Sequence, residues 1–349
     1  MSVAKEVLAK RLLKQATACR ALGSELYAVL LEKAAADVGV RGPTWTVMEP
    51  LAFAPAGTAI ALRLLGSVHR LVLEGKAPDL GPFYPSVGGD GPPDEAWPPF
   101  RALLEERAAE LSELVTRPVQ TNEVGRCGGL IVGFLEVARR MGLPLRILEI
   151  GASAGLNLRW DRYRYEAGGR TWGPDDSPVV LRDFEEAPDF ATIPTVVERA
   201  GCDPAPLDPT TDEGRLTLSS YVWPDQRWRW ALLDGALEIA ARYPLPIERS
   251  GAADWLGGML ADRVAGRATV VFHSIVVQYL DPDERERVEA IIDEAGRGAT
   301  AAAPVAWLAL EPPDGGGELA DVHLTTWPGH DRRLVARAGY HGRPVICLL

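Results

Sequence analysis

The sequence predicts an α/β protein: a mostly parallel sheet of seven strands after residue 144, entered from an N-terminal α-helical region. Two observations predict it. Apolar residues recur at helical spacing through the first 144 residues, and from Leu145 onward short apolar runs alternate with amphipathic stretches, as βαβ units require.

The elements follow in order. Val7, Leu8, Leu12, Leu22, Leu26, Leu30 and Leu31 mark helix across 4–37, the run RGPTWTVMEP breaks it, and helical spacing returns over 58–74. Pro78 to Pro99 is so dense in proline and glycine that a loop is expected. Helix resumes over 95–115 and again over 123–141, with Asn122 as the expected N-cap and Gly142 with Pro144 as the stop. LRILEI, residues 145–150, is a continuous apolar strand that runs into a small-residue turn and an expected helix start. Six later strands are expected at 195–199, 245–248, 268–273, 305–311, 322–327 and 334–338, with helices at 227–242, 255–264 and 282–295. An insertion at about 160–192 interrupts this alternation. Its stretch from Tyr163 to Asp189, rich in Gly, Pro and aromatics, reads as a hairpin or lid. The organisation is therefore a helical cap region, 1–144, and an α/β core, 145–349.

Composition narrows the function. The 349 residues hold 37 Lys plus Arg against 48 Asp plus Glu, a net charge of -11, and no basic run offsets it, which argues against nucleic acid as the main partner. Cys19, Cys127, Cys202 and Cys347 lack the paired spacing of a zinc site and read as reduced thiols. Lys5, Lys10, Arg11 and Lys14 are spread through an amphipathic start, unlike a signal peptide, and the longest apolar stretch, Ala268 to Leu280, is too short for a bilayer. A cytoplasmic protein with no membrane partner is expected.

Glu149-Ile150-Gly151-Ala152-Ser153-Ala154-Gly155 carries the most chemical information, because small residues in the turn after the first strand of an open sheet let a ligand approach the backbone. Three readings compete. In the first, the turn resembles the cofactor loop of a class I S-adenosylmethionine-dependent methyltransferase, a Rossmann-like core. Glu149 supplies the acid, Asp203 (or Glu198) holds the ribose, Asp254 meets the adenine amine and Trp255 or Leu256 covers the ring. The second takes Gly-x-Ser-x-Gly as a hydrolase nucleophile elbow with Ser153 as nucleophile, Asp254 with His323 or His341 completing a triad. The third, a dinucleotide-binding dehydrogenase, wants glycine where Ser153 stands.

With those pieces placed, the whole chain resembles an uncharacterised bacterial family of cytoplasmic proteins, known only as a domain of unknown function, whose core looks like a class I methyltransferase. The resemblance rests on Gln120-Thr121-Asn122-Glu123-Val124-Gly125-Arg126, on Leu148 to Asn157, on Trp223-Pro224 and on Phe272-His273-Ser274. It implies a fold and a cofactor, S-adenosylmethionine, held by Glu149, Gly151, Ala152, Ser153, Gly155, Asn157, Asp203, Asp254, Trp255 and His273. The substrate stays open.

Single residues divide between structural and functional readings. Asn122 and Glu123 suit a helix start, and equally a polar cluster with Gln120 and Arg126 that reaches substrate. His273 is the candidate general base, with Glu123 and Tyr279 as weaker catalytic candidates. Trp160 and Trp223 suit a core as well as a substrate pocket, with Trp172 and Tyr163 placed to close over it. His323, His330 and His341 lack metal-ligand spacing, so no metal is expected. The resulting expectation is a methyltransferase acting on a small molecule enclosed by the helical cap, with a homodimer allowed. A non-catalytic S-adenosylmethionine-binding or regulatory protein is the competing class.

Overall fold

The computed structural model describes residues 3–262 and 264–349. By its internal contacts the chain divides into two compact units, 1–121 with 215–230, and 122–214 with 231–349. The division falls before the last helix of the expected cap, because that helix, α7 below, packs on the sheet.

The first unit is helical. It is built from α1 (Val3–Ala21), α2 (Glu25–Gly39), α3 (Pro43–Met48), α4 (Ile60–Leu73), α5 (Trp97–Glu106) and α6 (Ala108–Leu114). Leu8, Leu12, Leu26, Leu30, Leu64 and Val68, spaced to share helix faces, are buried in one core. The single helix expected over 95–115 is two, broken at Arg107, whose φ of -111 and ψ of 29 leave the helical region. The proline-rich stretch from Pro78 folds into short 3-10 turns.

The second unit is an α/β layer structure. Its elements are α7 (Cys127–Met141), β1 (Leu145–Ile150), β2 (Arg164–Ala167), β3 (Arg170–Trp172), β4 (Val180–Leu181) and β5 (Val196–Asp203). After β5 the chain enters α8 (Asp212–Ser220), which from Arg215 onward belongs to the first unit, as does the first turn of α9 (Arg227–Arg242); the rest of α9, β6 (Glu248–Arg249), α10 (Ala252–Ala261), β7 (Ala268–Ser274) and α11 (Pro282–Arg297) return to the second. The chain ends in β8 (Val305–Glu311), β9 (Ala320–Trp327), β10 (Asp331–Ala338) and β11 (Val345–Cys347). The main sheet has eight strands in the order β11-β10-β9-β8-β7-β1-β5-β6. From β6 to β8 neighbours are parallel, and β8 to β11 are antiparallel. This corrects the expected seven-stranded sheet: β11 is an added edge strand, and the last strands fold back as a meander because their connections are too short for a crossover helix. The insertion forms a separate small sheet, β3-β2-β4.

All six residues of β1 and all seven of β7 are buried, the signature of parallel strands covered on both faces. α7 lies against β8, β9 and β10. Its glycines allow that approach: a Cβ on Gly133 would stand 2.2 Å from a methyl of fully buried Leu308. Gly133→Ala should therefore destabilise the chain by about 1–3 kcal/mol through overpacking. Gly257→Ala, at an exposed helical site with nothing within 4 Å, should instead gain up to about 1 kcal/mol. Denaturant midpoints of the two variants should move in opposite directions, and a Gly133→Ala midpoint equal to wild type would refute the close contact.

Candidate functional site

The carboxyl ends of β1, β5, β7 and β8 lie on one edge of the sheet, with β1 between β5 and β7. Chain connections run outward from β1 to β5 and β6 and then return to β7 on its other side, so the crevice between β1 and β7 is the topological switch point. The glycine turn stands there. Gly151, Ser153 and Gly155 have φ of 65, 52 and 66, left-handed values that the two glycines adopt freely and Ser153 does not. A Cβ on Gly151 would meet Val276 at 2.6 Å, so the loop after β7 closes directly on the turn. Ile275 in that loop also has a positive φ, 55, a rare state for a β-branched residue. Two strained non-glycine residues thus stand in the two loops that meet at the switch point, after β1 and after β7. Such strain persists where surrounding structure imposes it.

The turn is held from three sides. Asp203, the last residue of β5, accepts the Ser153 N–H at 3.0 Å on one carboxylate oxygen and the Ala205 N–H at 2.8 Å on the other. Ala152 donates to the Cys202 carbonyl at 2.9 Å. Asn122 accepts the Leu156 N–H at 2.7 Å, so it fastens the end of the turn instead of capping α7 as expected. Asn157, also buried, accepts the Cys127 thiol at 3.3 Å. After the turn comes a 3-10 segment, Asn157–Arg162, in place of the expected helix start, with a kink at Arg159.

Two charged groups inside this frame keep a free end. Glu149 is buried and its Oε2 has no hydrogen-bond partner. Burial, reinforced by Asp203, pushes its carboxyl well above the usual range, while Arg159 and Arg126 pull it back. Arg159, also buried, donates to the Gly155 carbonyl at 2.6 Å and the Tyr243 carbonyl at 3.0 Å, and its Nη2 is left without a partner. Arg126 donates to the carbonyls of Tyr340 at 3.0 Å and Ser274 at 3.0 Å, tying β7 to the C-terminal strands. Glu123 is buried one turn before Cys127.

Several expected site residues are placed elsewhere. Trp255 and Leu256 belong to the core beneath the sheet, and the Trp255 indole N–H donates to Glu248 at 3.1 Å. Asp254, on the first turn of α10, is 75% exposed and pairs with Arg287 on the surface. The apolar face of α10 claims Trp255 for packing, which turns Asp254 outward. Trp160 is fully buried, its ring stacked 4.4 Å from Phe134 and 5.4 Å from Trp172, and its Nε1 has no partner. It is a foundation of the insertion and no lid. Gln120 and Trp223 belong to the helical unit, where Trp223 packs in the core 6.1 Å from Tyr27 and lies beneath the Arg229 guanidinium. Tyr279 is exposed.

His273 has both ring nitrogens engaged. Its Nε2 is 3.0 Å from the Trp307 indole nitrogen and its Nδ1 is 2.7 Å from Glu311 Oε1. An indole nitrogen can only donate, so Nε2 accepts, Nδ1 carries the proton, and neither nitrogen is left to take a proton from a substrate. The hydrolase triad does not assemble either. Asp254 follows β6 at one side of the sheet, His323 lies in β9 with four strands between, and its imidazole is beside Asp321 at 3.8 Å. The residue that sequence reasoning missed is Glu311. It closes an apolar strand just as Glu149 nearly does, and that shared pattern was the available signal.

Among the described residues no group of three or more His, Cys, Asp or Glu is arranged to hold a metal ion, and no helix is long and apolar enough to cross a membrane. The chain belongs to a bacterial family described as an uncharacterized protein conserved in bacteria (DUF2332), whose model matches residues 9–346. No curated protein and no solved structure matches it.

Glu149 binds its proton more tightly in the folded chain than its ordinary value of 4.5 implies. Its contribution to stability is therefore fully present below about pH 4.5 and declines as pH rises toward the raised folded value. Glu149→Gln should remove that decline. Chemical denaturation of both proteins across neutral and acidic pH reads the difference, which should grow with pH in favour of the variant; a constant difference would show that Glu149 ionises normally.

Proposed function

We propose that the second unit binds S-adenosylmethionine at the Glu149–Gly155 turn and transfers its methyl group to a small molecule. Three features support this reading. The five parallel strands follow the doubly wound order third, second, first, fourth, fifth, as in Rossmann-like methyltransferase cores, and continue into a C-terminal antiparallel meander. The turn places left-handed small residues at the switch point, where a ligand can reach the backbone. The observation that carries the proposal is the pair of unpartnered buried atoms, Glu149 Oε2 and Arg159 Nη2. An acceptor carboxyl and a donor guanidinium are the two groups that an α-amino acid moiety needs for its ammonium and carboxylate.

The chain's residues divide the work. Glu149 takes the ammonium and Arg159 the carboxylate. Asp203 fixes the turn through two backbone amides and stands at the end of β5, where a ribose hydroxyl would be met. Asp254 and Trp255 have no part in this arrangement. Bound here, S-adenosylmethionine supplies an electrophilic methyl group. The protein's share of the chemistry is to align the acceptor, which alone can supply much of the rate of an in-line displacement.

Calorimetry tests it. S-adenosylmethionine and S-adenosylhomocysteine should both bind, and because Glu149 must ionise to meet an ammonium, binding should release a proton and tighten as pH rises toward the raised Glu149 value. Heats measured in buffers of different ionisation enthalpy report that proton. Glu149→Gln should weaken binding roughly ten- to hundredfold and abolish the proton release. No heat with either ligand at millimolar concentration would remove the cofactor from the reading.

A further inference from the structure

A second carboxylate on the same edge has one oxygen fully engaged and the other without a partner. Glu311 ends β8, the strand beside β7. Its Oε1 accepts from His273 Nδ1 at 2.7 Å and from the Val276 N–H at 2.8 Å, and the Val277 N–H lies at 3.4 Å. Its Oε2 is buried and accepts nothing. The loop it holds contains strained Ile275 and is the loop whose Val276 side chain rests on Gly151 of the turn. Glu311 is thus fixed in position by three donors, one loop away from the glycine turn.

We infer that Glu311, and not His273, faces the methyl-accepting substrate, and that this substrate offers an N–H or O–H group to Oε2. The inference rests on the methyltransferase reading of the neighbouring turn. A buried acceptor left unsatisfied costs about 1–3 kcal/mol, so the atom is accounted for when a ligand donates to it, and an ether, thioether or hydrocarbon acceptor has nothing to donate. His273 is a positioning residue. Trp307 locks its proton on Nδ1, that proton engages Oε1, and Oε2 is left as the open lone-pair site. In the transfer, the acceptor nitrogen or oxygen forms a bond to the methyl carbon, the carbon–sulfur bond breaks with its electron pair going to sulfur, and the acceptor proton passes to Glu311 Oε2 and from there to solvent.

The test uses the full chain with its histidines labelled with nitrogen-15, with and without S-adenosylhomocysteine. Benzylamine and benzyl alcohol serve as donor probes, and benzyl methyl ether and toluene as matched probes that donate nothing. The two donor probes should shift the His273 Nδ1–H resonance and bind at least roughly tenfold more tightly than the ether. Glu311→Gln should abolish that preference while S-adenosylhomocysteine still binds, because the glutamine oxygen can keep accepting from His273 and the Val276 amide that hold the loop. Trp307→Phe should release His273 from its single tautomer, seen as a changed pair of ring nitrogen shifts, and reduce the donor preference without removing the carboxylate. Equal response to donors and ether, or no response to any probe, overturns the inference and leaves Oε2 to a bound water. Donor response without S-adenosylhomocysteine binding would retain the Glu311 site and remove the cofactor reading.

Discussion

The candidate site depends on one electrostatic constraint: a carboxyl group at the end of a fully buried strand. Every residue of β1 is buried, so Glu149 cannot reach water, and its Oε2 finds no protein donor. Leaving a buried acceptor unpaired costs about 1–3 kcal/mol, a large share of a typical net stability. Isoleucine would fill such a strand position at no electrostatic cost. The surrounding structure answers the charge only in part: Arg159 and Arg126 favour ionisation, while burial and Asp203 oppose it more strongly. Nor can Asp203 move away, because its two oxygens hold the Ser153 and Ala205 amides that shape the turn. The geometry of the turn and the discomfort of Glu149 are consequences of the same packing.

Backbone strain follows the same line. Ser153 and Ile275 hold positive φ values on opposite sides of the switch point. Ser153 is pinned by Asp203, and the residue after Ile275 is pinned by Glu311. Two carboxylates from two strands thus stabilise two loops that local preference would not form. The contact of Val276 with the Gly151 site joins those loops, so a shift in either is felt by the other.

Legibility in the sequence tracked the range of the interactions concerned. The 305–311 strand and the 227–242 helix were read to the residue, because apolar periodicity is local. β11 escaped notice: its three residues are held by pairing with Ala336–Ala338, which no local pattern reports. The glycine turn was legible for the reason that β1 was, since acid, strand and small residues are contiguous. Asp254 and Trp255 were misplaced because spacing shows that α10 has an apolar face without showing that Trp255 lies on it beneath the sheet. His273 looked like a base because a lone histidine at a strand end gives no hint of Trp307 and Glu311, brought alongside by the β7–β8 register that pairs His273 with Ala309.

That register also explains why the two acids on the sheet edge differ in kind. Glu149 precedes the end of its strand and is enclosed from all directions, so its proton is favoured and a cationic partner is needed to displace it. Glu311 is the last residue of its strand, its side chain keeps 16% of its exposure, and one oxygen is saturated by a histidine N–H and backbone amides. A carboxyl that resists ionisation suits an ammonium, whose binding supplies the missing charge. One held by fixed donors at one oxygen, with the other buried and unpartnered, suits a ligand group that donates a hydrogen bond. One sheet edge thus holds two acids in unlike surroundings, one on the central strand β1 and one on its second neighbour β8.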